Sequence, residues 1–302
     1  MKILLTGANG QVGWELQRTL SPLGELVAFN RREMDLADPD SVRDRVREIR
    51  PGLIVNAAAY TAVDQAEAEP DLAIAINGIA PGILAEEAHR MGATLVHYST
   101  DYVFDGAQDG AYVEEDSTNA LNVYGRSKLA GESAIREARV PHLIFRTGWV
   151  YSRRGKNFML TILRLAGERD ELRIIDDQVG APTWSRMIAE ATAQVLAQFV
   201  APGKDGHGSL ADASGIYHLT AADRTSWYGF ANAIIEQANA GAGSPVLRAR
   251  RVVPIKSSEY PLPAARPKNS VLSNEKLWRK FGIVLPDWTR SLKMCLGEPA
   301  RR

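Results

Sequence analysis

The chain of 302 residues holds a single cysteine, Cys295, which excludes an internal disulfide and a cysteine-built metal site. No apolar run approaches the ~18 residues that a membrane-spanning helix requires. Neither charge is in excess: 36 Lys and Arg balance 36 Asp and Glu, so composition gives no pointer to nucleic acid or to an anionic membrane. Internal repeats and low-complexity tracts are lacking too. The first apolar run begins at Lys2 and leaves no room for a cleaved leader, so a reducing, cytoplasmic setting is the expectation. What is present, 45% hydrophobic and 24% charged residues, suits a globular protein of one large α/β domain or about two smaller ones.

Lys2 to Thr6 is an apolar run that stops at Gly7, and Gly7-Ala-Asn-Gly-Gln-Val-Gly13 leads into a helical stretch, Trp14 to Leu20. Strand, glycine turn, helix is the context of a dinucleotide fingerprint, here spaced G-x-x-G-x-x-G. Gly7 permits the tight turn. Gly10 lets backbone N–H groups approach a pyrophosphate, and Gly13 lets the helix sit close to the strand. The second strand, Glu25 to Phe29, ends at Asn30, Arg31 and Arg32, where a carboxylate would bind the ribose 2′-hydroxyl of NAD. With no negative charge there and two guanidiniums able to grip a 2′-phosphate, the residues favour NADPH, with NADH as the alternative. The bland reading of the arginines is a solvated loop. Asp35 and Leu36 lie just beyond, within reach of an adenine edge.

Asp38 to Arg50 reads as a capped helix ended by Pro51, and Leu53 to Ala59 as a strand buried on both faces. Ala57, Ala58 and Ala59 are small enough for a flat cofactor, and Thr61 and Val63 face the expected cleft. A long helix, Ala73 to Met91, a strand, Thr94 to Ser99, a helix, Asn122 to Arg139, and a strand, His142 to Thr147, complete an alternation. It predicts an α/β fold with a Rossmann-type doubly wound parallel sheet and ligands at the carboxyl ends of its strands. Beyond Trp149 the expected elements are helix Phe158 to Glu168, strand Leu172 to Ile175, helix Ser185 to Val200, strand Gly215 to Leu219, and helices Ser226 to Ala240 and Asn274 to Phe281. Ala201 to Ser214 reads as a mobile loop. Proline-rich Pro261 to Ser270 reads as a linker or the rigid wall of a pocket. The division expected is a cofactor-binding domain of 1–150 with about 185–220, and a smaller, interwoven C-terminal substrate domain of 151–184 with 221–302.

Tyr124 and Lys128 stand four apart, on one face if helical. An ammonium beside a phenol favours the phenolate, lowers the tyrosine pKa and equips it to exchange a proton with a sugar oxygen. Thr100, at the end of the fourth strand, is placed to hydrogen-bond the same oxygen. Alone, such a pair is more often an exposed helix face; the glycine turn gives it a redox partner.

Together, the glycine motif, Thr100 and Tyr124/Lys128 resemble the extended short-chain dehydrogenase/reductase superfamily. Longer stretches are similar to the dTDP-4-dehydrorhamnose reductase family: Gly10 to Leu16, Asn56 to Asp64, His97 to Phe104, Asn122 to Glu132, Phe145 to Tyr151, Asp177 to Thr183, Arg266 to Ser270 and Leu285 to Trp288. The resemblance spans nearly the whole chain. It implies reduction of the 4-keto group of dTDP-4-dehydro-6-deoxy-L-mannose by a nicotinamide cofactor, the last step of dTDP-L-rhamnose synthesis. Tyr124 would be the proton donor, Lys128 would tune it and hold the nicotinamide ribose, and Thr100 would orient the keto oxygen. The implied cofactor contacts are Gly7, Asn9, Gly10, Gln11, Val12, Gly13, Asn30, Arg31, Asp35, Leu36, Ala58, Ala59, Tyr60, Tyr98, Tyr124 and Lys128. The implied substrate contacts are Thr61, Val63, Thr100, Tyr102, Trp149, Gln178 and Arg266, with Thr183 nearby. Trp149 as a core aromatic, and Gln178, Thr183 and Arg266 as structural loop contacts, are the competing readings.

Some members of that family dimerise through magnesium held by glutamates. Here Glu15 matches, but Arg186 stands where a second carboxylate would, which argues against an oxygen-rich metal cage and for a monomer or weak homodimer. Two rivals stay open at this point. One is another extended short-chain dehydrogenase acting on a nucleotide sugar, such as an epimerase. The other is a non-catalytic regulatory subunit of the methionine adenosyltransferase type.

Overall fold

The structure, a computed structural model, describes residues 1–200, 209–240 and 247–297. Its strands are β1 (Lys2–Thr6), β2 (Glu25–Phe29), β3 (Leu53–Asn56), β4 (Thr94–Thr100), β5 (His142–Thr147), β6 (Val150–Tyr151), β7 (Glu171–Ile175), β8 (Val179–Gly180), β9 (Thr183–Trp184), β10 (Gly215–His218), β11 (Thr225–Ser226) and β12 (Arg251–Ile255). Its helices are α1 (Gln11–Leu20), α2 (Pro39–Ile49), α3 (Val63–Ala66), α4 (Pro70–Ile74), α5 (Ala80–Met91), α6 (Val123–Glu137), α7 (Phe158–Glu168), α8 (Ser185–Val200), α9 (Trp227–Ala240), α10 (Glu275–Phe281) and α11 (Trp288–Gly297).

Among the strands, β1, β3, β4 and β5 are buried nearly throughout. Six strands pair in the order β10-β5-β4-β3-β1-β2, every pairing parallel. A parallel pair needs a crossover, and the helices supply it on both faces. One face packs Ile3, Leu5, Val55, Val96 and Phe145 against α1, α8 and α10. The other packs Leu4, Ile54, Leu95 and Ile144 against α2, α5 and α6. The strand order reverses between β1 and β3, which makes that crevice the switch point where ligands of such sheets bind. The second half of the chain gathers Tyr151, Trp184, Phe230, Trp288 and α7, α9 and α11 into a separate core.

Three local outcomes differ from the expectations. The helix read as Ala73 to Met91 is interrupted by a π-helical turn, Ala75–Ile79, because buried Asn77 spends its amide on the Tyr60 backbone and on Ser127. Strand β12 and helix α11 were not foreseen. β12 pairs with β7 alone, so Pro254 sits where a missing N–H is tolerated. Of the loop read at Ala201 to Ser214, residues 201–208 lie outside the described residues, and Leu210–Ala213 form a 3-10 turn. The stretch from Pro261 to Ser270 takes the wall alternative. Arg266 forks onto Asp64 at 3.0 and 2.7 Å, and the Asn122 amide donates to the Ala265 carbonyl at 2.7 Å.

Candidate active site

The glycine turn is built for close approach. Gly7 has φ +71°, and a methyl on it would lie 2.7 Å from the Ala58 nitrogen. A methyl on Gly13 would lie 2.1 Å from the Gly7 carbonyl oxygen, so β1, the turn and α1 leave no room for side chains. Gly10 caps α1 without a side-chain bond, which leaves the first-turn N–H groups and the positive end of the helix dipole for an anion. This cradle fits a dinucleotide pyrophosphate. Gln11 reaches across to Ser152 and Asn157, tying the turn to the segment after β6.

At the rim next to it, β4 ends in Thr100 and a 3-10 turn, Asp101–Val103. Asn122 caps α6 by accepting from the Gly125 N–H at 2.8 Å, which starts that helix beside the turn. The Tyr102 and Tyr124 rings meet edge to face, centroids 5.9 Å apart. Thr100 donates to Asp101 Oδ1 at 3.1 Å, and its hydroxyl also works on the Tyr124 phenol. Asp101 is buried, with Oδ2 unpartnered; burial lifts its carboxyl to about 6 against the opposing pull of the Ser270 and Thr100 hydroxyls. The Asp64–Arg266 clamp flanks Tyr102, whose own phenol is raised by burial and then by Asp101.

The proposed tuning of Tyr124 by Lys128 is not what the geometry shows. Burial pushes the Tyr124 phenol up to about 12; Thr100 pulls it down and Asp101 pushes it further up. Lys128, only 1% exposed, turns its Nζ to the Tyr98 carbonyl at 2.6 Å and to His97 Nε2 at 3.1 Å. Burial lowers its pKa to about 7, with Glu132 opposing. With its Nζ turned to the Tyr98 carbonyl and to His97, Lys128 makes no hydrogen bond to the Tyr124 phenol among the described residues.

Other expected residues divide. Ala57 and Ala58 lie against Gly7 at the switch point, and Tyr60 is held by Asn77 and by Glu69, which accepts its phenol proton at 2.7 Å. Tyr98 is a correction: its ring lies in the core, with the hydroxyl 2.8 Å from Thr192, so only its carbonyl serves the site. Thr183 is another, since its hydroxyl is consumed by the Ala181 carbonyl and the Ala221 N–H. Leu36 is buried in the core with Met34. Gln178 is buried at the start of β8. Thr61 is exposed, and Val63 opens α3 at the rim. Trp149, a half-buried residue at φ +48°, stacks flat on Trp227 with centroids 3.4 Å apart, a platform rather than a core packing.

The region after β2 also departs from expectation. Glu33 accepts from the Asn30 N–H at 2.9 Å, and Arg31 lies 3.8 Å from Asp35. A carboxylate therefore does stand at the end of β2, supplied three residues later than the sequence position inspected. Arg32 is exposed, with no ion-pair partner among the described residues. Asp64, Asn77 and His97 were not singled out either. The signal for His97 was present: a polar residue inside the apolar run Thr94 to Ser99.

Glu15 does not offer a metal ligand. Its Oε2 lies 3.2 Å from Arg186 Nε and 3.4 Å from Arg18, so two guanidiniums already neutralise it. A magnesium cage needs several free oxygens, and these residues do not fit one.

The family described as "RmlD substrate binding domain" matches residues 1–300. A dTDP-4-dehydrorhamnose reductase of Burkholderia thailandensis is 52% identical, over 99% of this chain and 99% of that one. Among solved structures, a dTDP-4-dehydrorhamnose reductase of Clostridium acetobutylicum superposes with a TM-score of 0.88 at 36% identity, covering 98% of each chain. One from Bacillus anthracis, in complex with NADP, gives a TM-score of 0.85 at 34% identity over 97% of this chain and 98% of that one.

Proposed function

Because the chain belongs to the RmlD substrate binding domain family, we propose that it is a dTDP-4-dehydrorhamnose reductase, an NAD(P)H-dependent oxidoreductase that reduces the 4-keto group of dTDP-4-dehydro-6-deoxy-L-mannose to give dTDP-L-rhamnose. The observation that carries the reading is the shared rim: the glycine cradle, Thr100 and Tyr124 open on one end of one sheet. The epimerase and regulatory-subunit alternatives have no comparable support.

When bound, the nicotinamide cofactor supplies the hydride. The chain supplies the rest. The turn from Gly7 to Gly13 and the α1 N-terminus hold the pyrophosphate, while Ala58, Ala59 and Lys128 take the nicotinamide side. Tyr124, neutral because burial holds its pKa far above 7, carries the proton that the forming alkoxide takes. Thr100 turns its hydroxyl proton from Asp101 Oδ1 to the keto oxygen and polarises it. Tyr102, Trp149, Val63 and Arg266 enclose the sugar and exclude water. The first domain, 1–150 with about 185–220, binds the cofactor, and 151–184 with 221–302 binds the nucleotide sugar. NADPH is the expected cofactor, and the Glu33 carboxylate that returns to Asn30 just after β2 keeps NADH as the alternative. The protein works in the cytoplasm, as a monomer or weak homodimer without a magnesium bridge.

The test is direct. Purified protein is given dTDP-4-dehydrorhamnose with NADPH or NADH, nicotinamide absorbance is followed, and the product sugar is identified. Stoichiometric oxidation with dTDP-L-rhamnose as product is expected. Isomerised sugar with no net oxidation would replace the reductase with an epimerase.

A further inference from the structure

One left-handed residue has no local reason to be so. Among the described residues, Arg50, Arg139, Trp149 and Asp223 are the positions other than glycine with positive φ. Arg50 and Arg139 lie where α2 and α6 end, and Asp223 is a short polar residue at an exposed bend, sites where that conformation is common. Trp149 instead follows a strand and carries the bulkiest side chain of the four. It stands at φ +48°, two residues past Thr147, the register partner of Thr100. Such a backbone costs free energy and persists only where its surroundings over-determine it.

Three sets of contacts do so here. The Trp149 carbonyl accepts from the Thr183 N–H at 3.2 Å, where the β6–β9 pairing begins. Gly148 packs so closely on the rim that a methyl there would lie 2.6 Å from the Asp101 carboxyl carbon. The indole lies flat on Trp227, centroids 3.4 Å apart and planes 1° from parallel, and a methyl on Gly180 would lie 2.5 Å from its Nε1. Trp227 and Gly180 belong to one ribbon: Gly180 is opposite Thr225 in the β8–β11 pair, and Trp227 opens α9 two residues later. Trp227 is itself fixed. Phe158 packs on it with centroids 4.5 Å apart, and Ser226 before it accepts from the Gly229 N–H at 3.0 Å and donates to Asp176. Aromatic pairs ordinarily settle offset or edge to face, because centred faces repel. A centred stack on a left-handed backbone is not what packing alone selects; the ribbon imposes it.

We propose that Trp227 is a positioning residue for the nucleotide sugar: its ring is the seat that holds the Trp149 indole at the rim before the sugar arrives, with Gly180 left bare so that the indole fits beside it. This rests on the reading of the rim as a reductase site whose sugar wall includes Trp149. A loose indole would have to be ordered as the sugar binds, and that cost would be subtracted from affinity; a seated one is already ordered. The glycine cradle and Tyr124 are carried by other elements, so the effect falls on the sugar and not on the cofactor.

Two substitutions unseat Trp149 through different partners: Trp227→Leu removes the seat, and Gly180→Ala pushes the indole off it. Indole N–H spectra of nitrogen-15-labelled protein without ligand, with Trp149→Phe to assign the signal, read the stack. Ring current from Trp227 should hold the Trp149 N–H proton upfield of the ordinary indole range in wild type and release it in both variants. The steady-state KM for dTDP-4-dehydrorhamnose should rise roughly five- to twenty-fold in each, with kcat and the NADPH KM within about two-fold of wild type. Trp227→Phe, which keeps an aromatic seat, should recover most of the affinity. The double variant should bind no worse than the weaker single one, since both act through one indole. An unshifted N–H in wild type would overturn the proposal, as would a released signal with an unchanged sugar KM. Equal losses for sugar and NADPH would overturn it too, being the mark of a damaged fold. If wild type shows the shifted signal but reduces no sugar, the reductase reading fails and the seat stands. If it reduces sugar and the variants leave its KM unmoved, the reverse holds.

Discussion

At the scale of single residues, the decisive fact is that burial outranks proximity. Tyr124 and Lys128 were paired on spacing, yet each is moved away from its charged form by desolvation, the phenol upward and the amine downward. Tyr124→Phe keeps the ring and its edge contact with Tyr102 but removes the proton. We expect steady-state kcat to fall roughly a hundred- to ten-thousand-fold, with little change in KM for the cofactor. Lys128 has a consequence for stability as well. Its folded pKa, about 7, lies below its unfolded value of about 10.5. Between those values the unfolded chain binds the extra proton, so stability rises with pH; below 7 the cost of the buried cation is felt in full. Lys128→Met lacks that titration. Its melting temperature, measured against wild type by calorimetry, should lose ground by roughly 2–4 °C between pH 6.5 and 9. A constant difference would show that Lys128 stays charged in the fold.

At the scale of elements, the contact of α6 with the π-helical turn sets where Tyr124 sits. A methyl on Gly131 would lie 2.2 Å from the Asn77 carbonyl oxygen, so helix and turn touch backbone to backbone. Gly131→Ala should drive them apart and cost roughly 1–3 kcal/mol in urea unfolding, with a drop in kcat as Tyr124 moves. Stability near wild type would mean that the turn yields. The sequence was most readable where one interaction dominates. Apolar runs announced the five early strands, the glycine spacing announced the cofactor turn, and α7 and α8 fell at the expected residues. It was silent where partners come from far along the chain. The π turn depends on Asn77 meeting Tyr60 and Ser127, and β12 depends on β7 being there to pair. The carboxylate at the end of β2 was missed because a short turn returns Glu33 to Asn30. Tyr98 was misassigned, and Thr183 took its structural alternative, because a motif residue can serve the fold with its side chain while only its backbone, or neither, serves the chemistry.

At the scale of the whole molecule, the paired charges of α1 and α8 bear on whether a shared cation could join two copies of the chain. Arg18 lies between Glu15 and Glu190, and Arg186 holds Glu15, so this face presents ion pairs where a shared cation would need bare carboxylates. Light scattering should give the same mass with magnesium and with chelator. Arg186→Glu should make the mass respond to magnesium; a wild-type dimer dispersed by chelator would refute the argument.

The wall from Pro261 to Ser270 has a consequence in time. Arg266 and Ala265 grip Asp64 and Asn122, residues made some 200 and 143 positions earlier. A chain emerging from a ribosome thus has its nucleotide cradle within the first few residues, while the far side of the catalytic chamber arrives almost last. The sugar side of the site is therefore complete only near the end of translation.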